Sequence, residues 1–495
     1  MALIDFEKHQ SVARLLPRAA VFVNGKAQAI CSGEVHDHIN PATGLKQAEI
    51  PLAGAADVDA AVQSARRAFP AWRGLTPARR AELLNRFAAL VDRNKERIAR
   101  ISAIENGLPW NMVLSGHWPI VMGWMNYYAG FADKVEGHVT ASYPSESLEY
   151  TIPEPFGVIG NIITWNAPMI SLAFKVMPCL AAGCTTVVKP SEITPFTAII
   201  FAELALEAGI PEGVINVVPG GAAAGEALVR HPGIDKISFT GGIASARKIL
   251  AATAETLKPS LYELGGKSAN LVFADCDFER SAGYSAFFPM HGSGQGCQLP
   301  TRLLVEDKIY DRFCEAVVTA CRAIKVGDPL GEDSFMGPVV NRAALIRIED
   351  YVSEAKRLNS GRLLLGGNRM GGDFADGFFF EPTVFADVEP TSRIAQQEIF
   401  GPILSVMRFK DEAEAVALAN GTSWGLAGYI QTRDLNRAHR VASQLVCGNV
   451  YINGCRNVHP AAPFGGVGIS GFGKEGGRWG IEEFIRHKGV GIAIA

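Results

Sequence analysis

Two periods of hydrophobic positions alternate along this chain. Val58, Ala61, Val62, Ala65 and Phe69 recur at helical spacing behind Asp57, which reads as the cap of that helix. A second helix is predicted from about Pro77, with Leu83, Leu84, Phe87, Leu90 and Val91 on one face and its arginines on a solvated one. Trp118, Trp124, Tyr127, Tyr128 and Phe131 continue the helical period as an aromatic stripe, by default core. Upstream of these helices, residues 21–51 read as extended segments with turns at Asn24-Gly25 and Asn40-Pro41.

From 156 to 270 the pattern changes to strand, helix, strand. Strands are predicted over 156–164, over 185–188 ending at Lys189, and over 236–239. The first two flank a helix over 169–182. Thr194 and Pro195 cap a further helix that runs to Glu207, and Thr240-Gly241-Gly242 precedes another beginning near Ser245. This is the signature of a doubly wound α/β domain, in which ligands bind beyond the carboxyl ends of the strands. The alternation recurs at 270–273, 302–305, 310–324, Val384 and 404–409, which predicts a second α/β domain.

Composition narrows the partners. The chain has 495 residues, 48% apolar and 20% charged, enough for two or three globular domains. A net charge of −3 and a pI near 6.4 give no electrostatic case for nucleic acid or for an anionic membrane, so small molecules are the expected partners. The N-terminus has no apolar stretch of signal-peptide length, and Lys175 interrupts the most apolar stretch, 168–188, which argues against a membrane span. Nine cysteines, an odd number without CxxC or Cys/His spacing, suggest reduced thiols in a cytoplasm and no metal site.

The candidate chemistry centres on SGQGCQLPTR, residues 293–302. Gly292, Gly294 and Gly296 around Cys297 allow positive φ and a close backbone approach, which suits an exposed nucleophilic thiol. Taken alone, Cys297 reads as a small buried hydrophobe. Glu263, ending a short apolar strand before two glycines, is a candidate base.

Further segments reverse the reading of Cys297. WNAP (165–168), KPSE (189–192), ELGGK (263–267), GQGC (294–297), EIFGP (398–402), PFGG (463–466) and GKEGG (473–477) occur in this order. Together they resemble the NAD(P)-dependent aldehyde dehydrogenase superfamily, of the hydrolytic rather than the CoA-acylating type, from about Val21 to the C-terminus.

The resemblance implies an aldehyde dehydrogenase-like α/β fold: two doubly wound α/β domains plus a β-strand oligomerisation arm. Residues 1–132 and 153–264 would form the Rossmann-like NAD-binding domain, and 265–454 the catalytic domain. The arm would be 133–152 with 480–495, leaving 455–479 to line the active site. Unpaired apolar edges in that arm independently favour a homo-oligomer, a homotetramer or homodimer.

The same resemblance implies Cys297 as nucleophile, Glu263 as base and Asn166 as oxyanion donor. Loss of one such donor typically costs about 3 kcal/mol of barrier. Cofactor contacts are implied for Ile163, Thr164, Trp165, Lys189, Ser191, Glu192, Gly225, Phe239, Gly241, Gly242, Ser245, Leu264, Glu398 and Phe400. Gly242 stands where the family usually has serine, so Ser245 is expected to take over one pyrophosphate contact. Glu192 would accept from the ribose hydroxyls and repel a 2′-phosphate, favouring NAD, while Lys189 nearby keeps NADP open.

Trp124, Ala167, Ile170, Ser171, Phe174, Met290, Gln298 and Phe464 would line the substrate tunnel. Ala167 replaces what is often a bulky aromatic and suggests a wide apolar tunnel for an aromatic, terpenoid or medium-chain aldehyde. Arg456 and His459 near the mouth offer an alternative, recognition of a carboxylate-bearing semialdehyde. A family member kept as a binding protein without turnover is the remaining alternative.

Overall fold

A computed structural model describes residues 4–28, 31–140, 146–454 and 458–494. Its first sheet is built on the strand Val158–Ile162, buried at every position. Parallel neighbours are Thr185–Lys189 and then Ile215–Val217 on one side, and Lys236–Thr240 and then Ser260–Glu263 on the other. Val158 and Ile159 enter different hydrophobic clusters, one with Val62 and Leu228, the other with Leu172 and Val188. Side chains alternate across a strand, so two helical layers sandwich this sheet, which is what buries its strands on both faces.

The second sheet repeats the plan. Thr383–Ala386, Ile403–Phe409, Arg302–Glu306, Ala269–Val272, Ala427–Gln431 and Asn449–Ile452 run parallel, with Arg362–Leu365 antiparallel at one edge. Ser260–Glu263 ends the first sheet and Ala269–Val272 opens the centre of the second. The ELGGK segment therefore bridges the two sheets. Within the segment expected to line the active site, Gly471–Phe472 returns to the first sheet and pairs antiparallel with Ser260–Glu263.

Two helix starts differ from the sequence expectation. The first helix expected from the sequence is Ala55–Arg73, with Gly54 as its cap. Asp57 is the third residue inside, and its carboxylate accepts from the Gly54 N–H at 2.9 Å and from the Ser32 N–H at 2.7 Å. The helix Phe196–Glu207 starts beyond Pro195, and Thr194 does not cap it. Glu105 does so from a distant helix, accepting from the N–H groups of Phe196 (2.6 Å) and Thr197 (3.2 Å). A buried carboxylate with three donors outcompetes a local hydroxyl for those orphan amides.

The expected arm is an antiparallel ribbon of Ser147–Pro155 with Ile485–Ala493. It starts later than 133 because 131–138 pack as turn and coil after the helix Trp118–Ala129, and Val139 then bridges to Tyr150. Leu148, Ile152 and Ile492 remain exposed along it.

Candidate active site

The helix Phe278–Phe287 runs into the irregular turn Phe288–Gly294, where Gly292, Ser293 and Gly294 all take positive φ. Gly296, expected to do so, does not, and Ser293 does instead, its hydroxyl anchored to the Gly337 carbonyl at 2.8 Å. A Cβ at Gly294 would overlap the Gly401 carbonyl, so the turn presses against the EIFGP segment. Gln295 is a hub that sequence reading left unassigned, although it lies within the quoted motif. Its amide donates to the Gly292 carbonyl (3.1 Å) and accepts from the Val340 N–H (2.9 Å), and its own carbonyl accepts from Asn166 Nδ2 at 2.8 Å. Asn166 is thereby tied to the backbone two residues before Cys297.

Two carboxyl groups act on the Cys297 thiol. Burial, then Glu398, then Glu263 push it up to about 12. Glu263 is buried, and neither of its oxygens has a hydrogen-bond partner among the described residues. Gly465 makes the space it occupies: a Cβ there would overlap Oε1, at a φ of +149° that disfavours any side chain. Burial and the neighbouring Glu475 raise the Glu263 carboxyl well above the usual carboxylate range, and Lys175 and Lys474 pull it partly back. Lys175, from the helix Pro168–Ala182, donates to Glu475 Oε1 at 2.7 Å and to Ser238 Oγ at 2.9 Å in the interior. The sequence signal for this pair was a lone lysine inside an apolar helix.

Glu398 is held differently. Its Oε1 accepts from the Gly266 N–H at 3.0 Å, and a Cβ at Gly265 would overlap its carboxyl. Burial raises it to about 7. Lys267, the last residue of the ELGGK segment, is 1% exposed, and burial lowers its ammonium to about 7.

The cofactor candidates gather at the carboxyl ends of the first sheet. Ile163 donates its N–H to the Lys189 carbonyl at 3.1 Å, and the Thr164 and Ser171 hydroxyls meet at 2.9 Å. Trp165 meets Phe400 edge-on at 5.3 Å. Lys189 is not a surface lysine: buried, it donates to the carbonyls of Gly220 and Pro190, and burial lowers it to about 8. Gly225 faces its stem, where a Cβ would stand 3.7 Å away. Ser191 donates to Glu192 Oε2 at 3.1 Å.

Gly241 stands where a Cβ would meet the Phe239 ring at 2.5 Å, and the Leu264 N–H is taken by the Ser470 carbonyl at 3.0 Å. The helix Ile243–Ala254 starts at Ile243, two residues before Ser245. Its cap, Gly242, has no side-chain bond and nothing within 4 Å of a Cβ position. Uncapped amides facing open space, with Ser245 exposed in the same turn, fit an anionic pyrophosphate.

The sequence profile of the aldehyde dehydrogenase family matches residues 30–490. The chain belongs to this family. As a member it is an enzyme, an NAD(P)-dependent aldehyde dehydrogenase. An aldehyde dehydrogenase of Alternaria alternata is 39% identical over 477 residues, covering 96% of this chain and 95% of that protein. The crystal structure of an NAD-dependent aldehyde dehydrogenase from Sinorhizobium meliloti superposes with a TM-score of 0.94 at 37% identity, covering 98% of this chain and 96% of that one. An NAD+ complex of aldehyde dehydrogenase from Bacillus cereus superposes with a TM-score of 0.94 at 34% identity over 100% of both chains.

In this aldehyde dehydrogenase the tunnel candidates separate. Trp124 stacks on Phe174 at 4.1 Å and Phe174 meets Phe464 edge-on at 5.9 Å. Ile170 and Cys297 pack against the cluster that holds these three rings. Ala167 is the cap of Pro168–Ala182, and Ser171 turns to Thr164. Gln298 accepts through its carbonyl from the Tyr429 hydroxyl at 2.8 Å.

Met290 is not with them. The turn Phe288–Gly294 points it into the core of the second sheet with Val305 and Phe313, where it is fully buried, an apolar side chain taking the drier side. Arg456 lies outside the described residues. His459 is exposed, its Nδ1 accepting from the Ala461 N–H at 3.2 Å. Among the described residues, no three His, Cys, Asp or Glu side chains gather to hold a metal ion, and no helix is long and apolar enough to cross a membrane.

Proposed function

We propose that this enzyme oxidises an apolar aldehyde, aromatic, terpenoid or medium-chain, to the carboxylic acid through a thioester on Cys297. The observation that carries the reading is one thiol set under the influence of two raised carboxyls, with Asn166 tied to its loop. Bound NAD supplies the hydride acceptor and a positively charged ring near the thiol. The uncapped helix Ile243–Ala254 would receive its pyrophosphate, Glu192 its adenosine ribose and Glu398 its nicotinamide ribose.

The chain's own residues carry the remaining work. Burial and two carboxyls raise the thiol, while burial and Glu475 raise Glu263, which makes Glu263 a better proton acceptor than an ordinary carboxylate. Glu263 takes the thiol proton as Sγ attacks the carbonyl carbon. The free N–H of Asn166 and the backbone N–H of Cys297 hold the resulting oxyanion. Once the carbon has given up its hydrogen as hydride, the acyl group stays on Sγ as a thioester, and Glu263, having passed the thiol proton to solvent, deprotonates the water that releases the acid. Trp124, Phe174 and Phe464 make the apolar wall that excludes other water. The exposed residues of the ribbon Ser147–Pro155 with Ile485–Ala493 support assembly into a homodimer or homotetramer, working in a cytoplasm that keeps Cys297 reduced.

The test is initial-rate formation of reduced cofactor over aromatic, terpenoid, aliphatic and ω-carboxylated aldehydes, with NAD and NADP in parallel. Apolar aldehydes with NAD should be the best substrates, and Cys297→Ala should abolish turnover. Preference for ω-carboxylated aldehydes would overturn the substrate assignment, and turnover surviving in Cys297→Ala would overturn the nucleophile.

A further inference from the structure

Val35–Ile39 and Lys46–Pro51 form a two-stranded hairpin outside both large sheets. His38 pairs with Ala48 but Ile39 pairs with Lys46, so Gln47 is an extra residue, a β-bulge. Bulges re-aim side chains and recur beside functional sites. This one brings the Gln47 amide onto the His38 ring, Nε2 to Nδ1 at 3.0 Å. Neither residue belongs to the catalytic set or to the cofactor contacts.

The hydrogen bonds around His38 fix where its proton sits. Asn40 Oδ1 accepts from the Ala42 N–H at 3.0 Å, so its Nδ2 faces Gln47 Oε1 at 3.2 Å. Gln47 Nε2 is left to donate, to the Ile104 carbonyl at 2.7 Å and to His38 Nδ1. His38 therefore carries its proton on Nε2, which donates to the Ile193 carbonyl at 3.0 Å. Burial lowers the imidazole to about 4, so this neutral form persists near pH 7. The ring itself lies edge-on to Phe196 at 5.1 Å.

Ile193 follows Glu192, the residue assigned above to the adenosine ribose. Its N–H donates to Ser191 Oγ at 3.4 Å, and that hydroxyl donates to Glu192 Oε2 at 3.1 Å. The Ser191 carbonyl closes the turn by accepting from the Thr194 N–H at 3.1 Å. A path of hydrogen bonds thus runs from Gln47 through His38 and Ile193 to the Glu192 carboxyl, and it holds the backbone from which Glu192 projects.

We propose that His38 is a positioning residue for the cofactor, holding the turn 191–194 so that Glu192 meets the ribose hydroxyls and turns away a 2′-phosphate. This rests on the assignment of Glu192 to the adenosine ribose. Loss of the His38 donor frees the Ile193 carbonyl, lets the turn relax and moves the carboxylate off the ribose. NAD then loses a hydrogen bond, whereas NADP loses a repulsion.

Calorimetric titration of the full chain with NAD and with NADP tests it. His38→Leu should weaken NAD about tenfold, the effect of one net hydrogen bond, and NADP by no more than about twofold, so the preference for NAD narrows. His38→Gln, whose amide can donate to the same carbonyl, should recover most of that preference. Gln47→Leu, which unfastens the ring without touching the turn, should show the same selective loss at about threefold. In steady state His38→Leu should raise KM for NAD about tenfold and change kcat less than about threefold. Glu192→Ala should weaken NAD at least as much as His38→Leu. The double variant should bind NAD within about twofold of Glu192→Ala alone, because a residue acting through Glu192 then has nothing left to act on.

NAD affinity within about twofold of the unsubstituted protein in His38→Leu would overturn the proposal. So would equal losses for NAD and NADP, which mark a general loosening of the site, or a double variant whose loss is the product of the two single losses. If Glu192→Ala leaves NAD binding unchanged, the ribose assignment fails and the positioning role with it. If Glu192→Ala weakens NAD while His38→Leu does not, the assignment stands and the positioning role alone falls.

Discussion

Glu263 and Glu398 both act on the same thiol and are both raised, yet they are held in opposite ways. Glu398 comes from the second sheet's side, and its Oε1 is fastened to the backbone N–H of Gly266. Glu263 ends a strand of the first sheet, and neither of its oxygens has a partner among the described residues. A buried carboxyl with no hydrogen bond is costly, and a fold that keeps one uses it. The tethered group suits a fixture that positions a ligand. The untethered one suits a group that moves and exchanges a proton.

The strongest way to break this division is Glu263→Gln, which keeps the shape and removes the base. Turnover should fall by about 10²- to 10⁴-fold, the usual contribution of a positioned base. Mixing with NAD and aldehyde should still give a slow first turnover, and intact-mass spectrometry should find the acyl adduct accumulating on Cys297. Steady turnover near the unsubstituted rate would transfer the base role elsewhere, with Glu475 the nearest candidate.

Next in size is a pair of glycine substitutions that press on the two carboxyls in turn. Gly465→Ala places a methyl group into Glu263 Oε1 at a strained φ, and Gly265→Ala places one into the Glu398 carboxyl. Gly465→Ala should lower kcat by about 10- to 100-fold, because small misplacement of a reacting group is expensive. Gly265→Ala should raise KM for NAD by about tenfold with kcat within about threefold. Steady-state kinetics with both substrates varied decides it. If the two variants show the same signature, the carboxyls do not differ in role.

What the sequence disclosed follows the range of each interaction. Glu263 became a candidate from a strand end written within a few neighbouring residues, whereas the glycine-rich turn alone left Cys297 reading as a buried hydrophobe and only the set of motifs along the chain made it a candidate nucleophile. The aromatic helix was visible from its period, and Trp124 does stack on Phe174. The Lys175–Glu475 pair and the His38–Ile193 pair were not visible, because each joins residues from distant parts of the chain and no local pattern announces a partner. Met290 was misplaced for a related reason. In an irregular turn, neither helical nor strand period fixes the face a side chain takes, and packing decides it. Glu105 replaced Thr194 as a cap by the same tertiary override.

A milder change sharpens the fixture role of Glu398. Glu398→Gln preserves an oxygen for the Gly266 N–H and loses only the charge, so KM for NAD should rise about three- to fivefold and kcat should hardly move. Glu398→Ala, which loses the tether as well, should raise it further. Identical values for the two variants would mean that charge alone, without the hydrogen bond, holds the cofactor.

The smallest effect is on stability, and its sign is fixed by the direction of the shift. Glu398 titrates near 7 when folded against 4.5 when exposed, so between those pH values the folded chain binds the extra proton. Stability contributed by the neutral carboxyl is therefore full below about pH 4.5 and is lost as pH rises through 7. Glu398→Gln cannot ionise and escapes that loss. Its Tm relative to the unsubstituted protein should climb by about 1–2 °C between pH 5 and pH 8, a small shift because the unfolding entropy of so long a chain is large. Glu263 carries a shift of the same direction in both proteins, so it cancels in the difference. A relative Tm that stays flat across this window would mean that Glu398 is ionised at little cost, and the contrast between the two carboxyls would then rest on their hydrogen bonds alone.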